Sequence, residues 1–120
     1  SNEWTTPKAF FDKLDKIFGP FTLDPCCDST NNLTQNYFTE QQDGLVQSWQ
    51  GHTVFMNPPY SRGELKRWIQ KAYEESQKKN TLVVALIPSR TDTKYWHEYV
   101  IPHEQKTKNT RRAPKILLFN

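Results

Sequence analysis

A chain of 120 residues and 14.2 kDa has material for one compact core and no separate recognition domain beside it. Its 16 Lys+Arg against 13 Asp+Glu leave a formal net charge of +3 and a pI near 8.9, which permits a polyanionic partner but excludes the dense basicity of a histone-like protein. No apolar run approaches the ~20 residues that span a bilayer, no hydrophobic signal region opens the chain, and the adjacent Cys26 and Cys27 cannot frame a disulfide scaffold.

A soluble protein of the reducing cytoplasm is therefore expected. The apolar fraction is only 35%, but 4 Trp, 5 Tyr and 7 Phe supply bulky core material, so a disordered chain is not expected. Ser1-Asn2, with no Met before them, resemble a tag remnant and are left out of the fold reading.

Thr6-Pro7 reads as N-cap and first helical residue, followed by Phe10, Leu14, Ile17 and Phe18 on one face and Gly19-Pro20 as the stop. Phe21-Thr22-Leu23-Asp24 reads as a short strand cut by Pro25, which places Asp24 at its carboxyl end. Residues 25–50 are polar, with scattered anchors Leu33, Tyr37, Phe38, Leu45, Val46 and Trp49. An ordered, mostly irregular connection is expected there, and a stretch of that length in a small domain suggests a binding loop or lid.

Thr53-Val54-Phe55-Met56 predicts a second strand, ended by Asn57-Pro58-Pro59-Tyr60, because two prolines remove two ladder donors and stiffen the turn. Ser61 to Glu64 fits an S-x-x-E capping box, and Leu65, Trp68, Ile69, Ala72 and Tyr73 follow at helical spacing, with Asn80 as a stop. Leu82-Val83-Val84-Ala85-Leu86-Ile87 is a continuous apolar run, the pattern of a strand covered on both faces. A third helix is expected over residues 91–100, carrying Tyr95, Trp96 and Tyr99, and a last strand over residues 116–119.

Strands alternating with helices predict an α/β fold: a largely parallel sheet, right-handed crossovers, helices on both faces, and ligands at the strands' carboxyl ends, where Asp24 and Asn57 both fall. The Asn57 side-chain oxygen and the Pro58 carbonyl are both acceptors, and the imposed backbone can converge them on the two hydrogens of one planar amine. An amine held this way points its nitrogen lone pair at an electrophilic methyl carbon. Tyr60 can stack on the base that carries it, and that base must be flipped out of a duplex or already single-stranded. An ordinary proline turn is the alternative for the bare tetrapeptide.

On these residues the chain resembles the phage-type DNA N6-adenine methyltransferases, a Dam-like family. The resemblance runs through Glu3-Trp4-Thr5-Thr6-Pro7, Phe21-Thr22-Leu23-Asp24, Tyr37-Phe38-Thr39, Asp43-Gly44-Leu45, Trp49, Asn57-Pro58-Pro59-Tyr60-Ser61-Arg62-Gly63, Lys71-Ala72-Tyr73-Glu74 and Pro88-Ser89-Arg90-Thr91-Asp92-Thr93. It implies a small Rossmann-like methyltransferase fold, S-adenosylmethionine as methyl donor, adenine in DNA as acceptor, and a phage or prophage origin in a bacterial cytoplasm.

Carried over position by position, it implies that Trp4, Thr6, Pro7, Asp24 and Asp43 border the donor. Asp24 can pair with the donor's ammonium or, on the plainer reading, brace its own loop. Arg62, Arg90, Lys106, Lys108, Arg111 and Arg112 are the candidate DNA contacts, with a solvated loop as the alternative for the basic stretch at residues 106–115. His52, His97 and His103 have no metal-ligand spacing, so no metal site is expected.

Two departures stand against the resemblance. No Gly-rich turn follows Asp24, and residues 104–120 do not follow the family's strand-rich continuation. The second departure keeps open a truncated domain, a dimer, or a catalytically silent remnant that binds nucleic acid or a protein.

Overall fold

The computed structural model describes residues 5–27, 32–61, 63–87 and 115–120, and the backbone of residues 98–99. Helix α1 covers Lys8–Phe18. Strands β1 (Leu23–Asp24) and β2 (Asn36–Tyr37), a 3-10 turn at Gly44–Val46, and strand β3 (Thr53–Met56) follow. Helix α2 (Glu64–Ser76) and strands β4 (Leu82–Ile87), β5 (Glu98–Tyr99) and β6 (Lys115–Phe119) complete the described elements.

The six strands form one sheet in the order β2-β1-β3-β4-β6-β5. The first four are parallel, with Leu23 opposite Val54 and Val54 opposite Val83. Strand β6 runs antiparallel to β4, pairing Leu118 with Val84, and β5 runs antiparallel to β6. The expected largely parallel sheet is thus present, made mixed by one strand, β6, that runs against the others.

Both faces of the sheet are covered. Residue alternation sends Val54, Met56, Val83, Ala85 and Ile87 toward Trp68, Ile69 and Ala72 of α2. The intervening Phe55, Val84 and Leu86 meet Phe11 and Leu14 of α1. This is why β4 reads as an unbroken apolar run: with a helix on each side, neither set of alternate positions faces water. Phe11 meets the Phe55 ring edge-on at 5.0 Å and 89°, fixing α1 against the strand that leads into the Pro-Pro loop.

Several sequence expectations need correction. Helix α1 starts one residue later than expected: Pro7 is the N-cap, and no side chain caps it. Its buried stripe uses Phe11 and Leu14, while Ile17 stays 49% exposed. The S-x-x-E box does not form either. Gly63, left-handed at φ 81, is the N-cap of α2, and Glu64 pairs instead with Arg67 at 3.2 Å. A left-handed residue at that point suits glycine and displaces Ser61 from the capping position.

Tyr73 is exposed rather than part of the buried stripe, as is Val46. The irregular stretch contains β2, which pairs with β1. Residues 98–99 are extended rather than helical; the rest of the third expected helix, like Ser89-Arg90-Thr91-Asp92, lies outside the described residues.

Candidate active site

Strands β1 and β3 are neighbours and parallel, so Asp24 and Asn57 emerge from the same edge of the sheet. An open cleft of about 850 Å³ lies at that edge. Its walls are the turn Pro25-Cys26-Cys27, the segment from Thr39 to Leu45, and the Pro-Pro loop with the start of α2, from which Pro59, Ser61, Glu64, Arg67 and Trp68 contribute.

Asn57 is half-buried, and its Nδ2 donates to the Thr6 hydroxyl at 2.8 Å. Pro58 is buried, Pro59 half-buried in the cleft wall, and Tyr60 half-buried between Pro59 and Ser61, which both line the cleft. Burial raises the Tyr60 hydroxyl above its ordinary 10.0, so it stays a neutral phenol near pH 7.

Asp24 is 7% exposed. Burial pushes its carboxyl from 3.8 up to about 7, against the opposing pull of the Cys26 backbone N–H, which donates to Oδ1 at 3.0 Å. This carboxyl group therefore does brace its loop, and it is not among the residues that line the cleft, although its chain neighbours Pro25 and Cys26 are. Asp43 is in the wall. It adopts the left-handed conformation (φ 56), which Asp tolerates better than most residues, and its side chain accepts from the Leu45 N–H at 3.1 Å.

Thr6 reaches Asn57, whereas Pro7 is exposed at the helix start. Trp4, Arg62, Arg90, Lys106, Lys108, Arg111 and Arg112 lie outside the described residues.

The sequence reading missed part of this cleft. Gly44 packs so closely that a Cβ would fall on the Pro25 carbonyl oxygen and press on the Trp68 ring; the Asp43-Gly44 pair was the available signal. Trp68 stacks on the fully buried Trp49 at 6.3 Å and 21°. Its own indole N–H is buried with no hydrogen-bond partner among the described residues.

Trp49 donates its indole N–H to the Gly44 carbonyl at 2.9 Å, and its backbone N–H goes to the Glu75 carboxylate at 2.6 Å. Glu75 is also held by Lys78 at 2.6 Å and Lys71 at 3.2 Å. Burial works to raise its pKa; the hydrogen bonds from Lys78, Trp49 and Lys71 outweigh it and hold the group below the ordinary 4.5. An ionised buried carboxylate thus anchors the cleft segment to α2.

The fold and site define an α/β domain with an open cleft and an amide-proline-proline-aromatic loop at the carboxyl edge of its parallel strands. The chain belongs to the DNA N-6-adenine-methyltransferase (Dam) family, whose profile matches residues 1–106. A DNA N-6-adenine-methyltransferase of Haemophilus phage HP1 (strain HP1c1) is 33% identical over 94 residues, covering 78% of this chain and 53% of the relative. One of Escherichia phage T1 is 26% identical over 96 residues, covering 79% of this chain and 39% of the relative. The chain thus spans about half, or less, of the length of these relatives. No solved structure matches it significantly. Among the described residues, no helix is long and apolar enough to cross a membrane.

Proposed function

We propose that this chain is the catalytic domain, Rossmann-like in fold, of a phage or prophage DNA N6-adenine methyltransferase that uses S-adenosylmethionine in the host cytoplasm. The observation that carries the reading is the position of Asn57-Pro58-Pro59-Tyr60: it follows β3 directly, borders the cleft through Pro59, and has its amide tied down by Thr6.

The cleft suits this donor. About 850 Å³ is within the range of small-molecule sites, roughly 300–1,000 Å³. Asp43 offers a carboxylate, Pro25, Cys26 and Leu45 offer apolar surface, and Trp68 offers an aromatic wall. Asp24, beside Pro25 of that wall, and Trp4 and Pro7 of the N-terminal segment are assigned as the further donor-binding residues.

When bound, S-adenosylmethionine supplies a sulfonium-activated methyl carbon and leaves as the neutral thioether, its sulfur keeping the S–C electron pair. The protein's part is positioning. Asn57 Oδ1 and the Pro58 carbonyl accept the two N6 hydrogens of an unstacked adenine, and Tyr60 covers the face of its ring. The lone pair of N6 forms the new N–C bond, and one N6 proton then leaves to water. Alignment and exclusion of water supply most of the acceleration in such a transfer. Arg62, Arg90, Lys106, Lys108, Arg111 and Arg112 are assigned to DNA phosphates, a role that makes binding salt-sensitive.

The test is incubation with labelled S-adenosylmethionine and unmethylated amplified DNA, followed by nucleoside analysis, alongside calorimetric titration of the donor. N6-methyladenine is expected from the unaltered chain. Asn57→Ala should abolish it while the donor still binds. A chain that binds DNA but takes up no donor is the silent remnant, and the proposal fails.

A further inference from the structure

We infer that Thr6 is a positioning residue of the amine clasp: its hydroxyl holds the Asn57 amide by its Nδ2, in the orientation that turns Oδ1 toward the nucleobase amine. The inference rests on the proposed role of Asn57 as an acceptor and deepens it.

The two ends of an asparagine amide have nearly the same shape and opposite hydrogen-bonding character. The torsion that exchanges them is broad and roughly two-fold, so rotamer preference selects neither end. Pro58 restrains the Asn57 backbone toward extended conformations, but that restraint does not reach the amide. An incoming NH2 group is attracted by the oxygen and repelled by the nitrogen, so the clasp works in one orientation and fails in the other. A partner outside the Pro-Pro loop is needed to hold the amide once it is set; a hydroxyl, which can donate as well as accept, serves by restraining the end it has bonded.

Thr6 is placed to do so. Its Oγ1 accepts from Asn57 Nδ2 at 2.8 Å across 51 residues of sequence, which holds the nitrogen end toward the N-terminal segment. A threonine ahead of a helix ordinarily caps the first turn with its hydroxyl. Here Pro7 is the N-cap with no side-chain cap bond, and the hydroxyl is directed to Asn57. The distance is set by well-packed elements on both sides: α1 docks through Phe11 onto Phe55 of β3, two residues before Asn57 in the loop that leaves this strand. Thr6 thus acts through Asn57 and need not touch the donor or the base.

Thr6→Val keeps the shape and removes the acceptor; Thr6→Ser keeps the hydroxyl. With amplified unmethylated DNA, Thr6→Val should lower kcat by roughly 10- to 100-fold, the scale of a misplaced reacting group. The KM for DNA should change little, the calorimetric affinity for S-adenosylmethionine should stay as it was, and Thr6→Ser should restore most of the rate. In ¹⁵N-labelled protein, the side-chain amide pair of Asn57, assigned with Asn57→Ala, should shift and exchange faster with solvent in Thr6→Val.

The inference is overturned if that amide pair is unaltered in Thr6→Val, if kcat is unchanged, or if donor affinity falls in step with the rate. If Asn57→Ala still methylates, or the unaltered chain makes no N6-methyladenine, the functional reading itself falls and takes this extension with it.

Discussion

Replacing Asp24 by Asn tests how the domain tolerates a buried acid beside its cleft. The folded carboxyl titrates at about 7 against an ordinary 3.8 because burial disfavours its charge and a single Cys26 N–H only partly compensates. Below about pH 3.8 both folded and unfolded chains are protonated at this site, and Asp24 contributes no pH dependence. Between 3.8 and 7 the unfolded chain releases the proton and the folded chain keeps it, so stability falls as pH rises. Above 7 the penalty is complete. At about 1.4 kcal/mol for each tenfold difference in proton affinity, it amounts to on the order of 4 kcal/mol.

Asp24→Asn retains the shape and the acceptor for the Cys26 N–H but carries no charge. It should be more stable than the unaltered chain at pH 8 by up to that amount, a rise of roughly 2 M in urea midpoint at an ordinary slope, with the difference closing as pH falls toward 4. Urea unfolding of both chains across that range is the assay. Equal or lower stability of Asp24→Asn at pH 8, or parallel pH profiles, would refute the burial argument. On the proposed function the penalty has a purpose: a donor ammonium near Asp24 relieves it, so donor affinity should rise with pH up to about 7 and then level off. The Asn variant should show no such rise.

The remaining predictions concern the support of the cleft. Glu75→Gln removes the charge shared by Lys71 and Lys78 and should cost about 3 kcal/mol near neutral pH. Because the folded pKa of Glu75 is lowered, that advantage of the unaltered chain is present above the ordinary carboxylate value and lost as pH falls through the folded one. Denaturant curves at pH 7 and pH 3 will reveal a deficit that shrinks on acidification, and a deficit independent of pH would disprove the charge assignment. Trp68→Phe keeps an aromatic ring against Trp49 while deleting the unmatched indole N–H. Relief of a buried donor, about 1–3 kcal/mol, should offset most of the lost ring area, whereas Trp68→Ala should cost about 3–5 kcal/mol. If Phe proves as costly as Ala in urea unfolding, the indole N–H has a partner.

What the sequence made legible were the elements whose patterns follow directly from burial. β4 is an unbroken apolar run because α1 and α2 cover it from both sides, and α2 announces itself through Trp68, Ile69 and Ala72 at helical spacing. The Asn57-Pro58-Pro59-Tyr60 turn is legible because proline forbids the strand from continuing. Features fixed by backbone conformation or by distant partners were not legible. β2 is two residues, Asn36 and Tyr37, held beside β1 by main-chain bonds such as Phe38 N–H to the Asp24 carbonyl at 3.0 Å, and carries no periodicity. The capping pattern at Ser61 could not reveal that Gly63 would turn left-handed, nor could Thr6 reveal that its hydroxyl belonged to a residue 51 positions away.

The polar cluster around Glu75 is connected to the cleft by the same kind of long-range bonding. Glu75, near the end of α2, holds the Trp49 backbone, and the Trp49 indole holds the Gly44 carbonyl, next to Asp43 in the cleft wall. Gly44 in turn packs against Pro25 and Trp68 so tightly that no side chain fits. A mostly irregular segment acquires a defined shape in this way without regular secondary structure, because the Glu75 carboxylate and the Trp49 indole are each matched to a main-chain group of the segment. Loops with satisfied backbone groups can be held as firmly as strands, and the methyl transfer proposed for this cleft, which works by positioning, requires that its walls be held so.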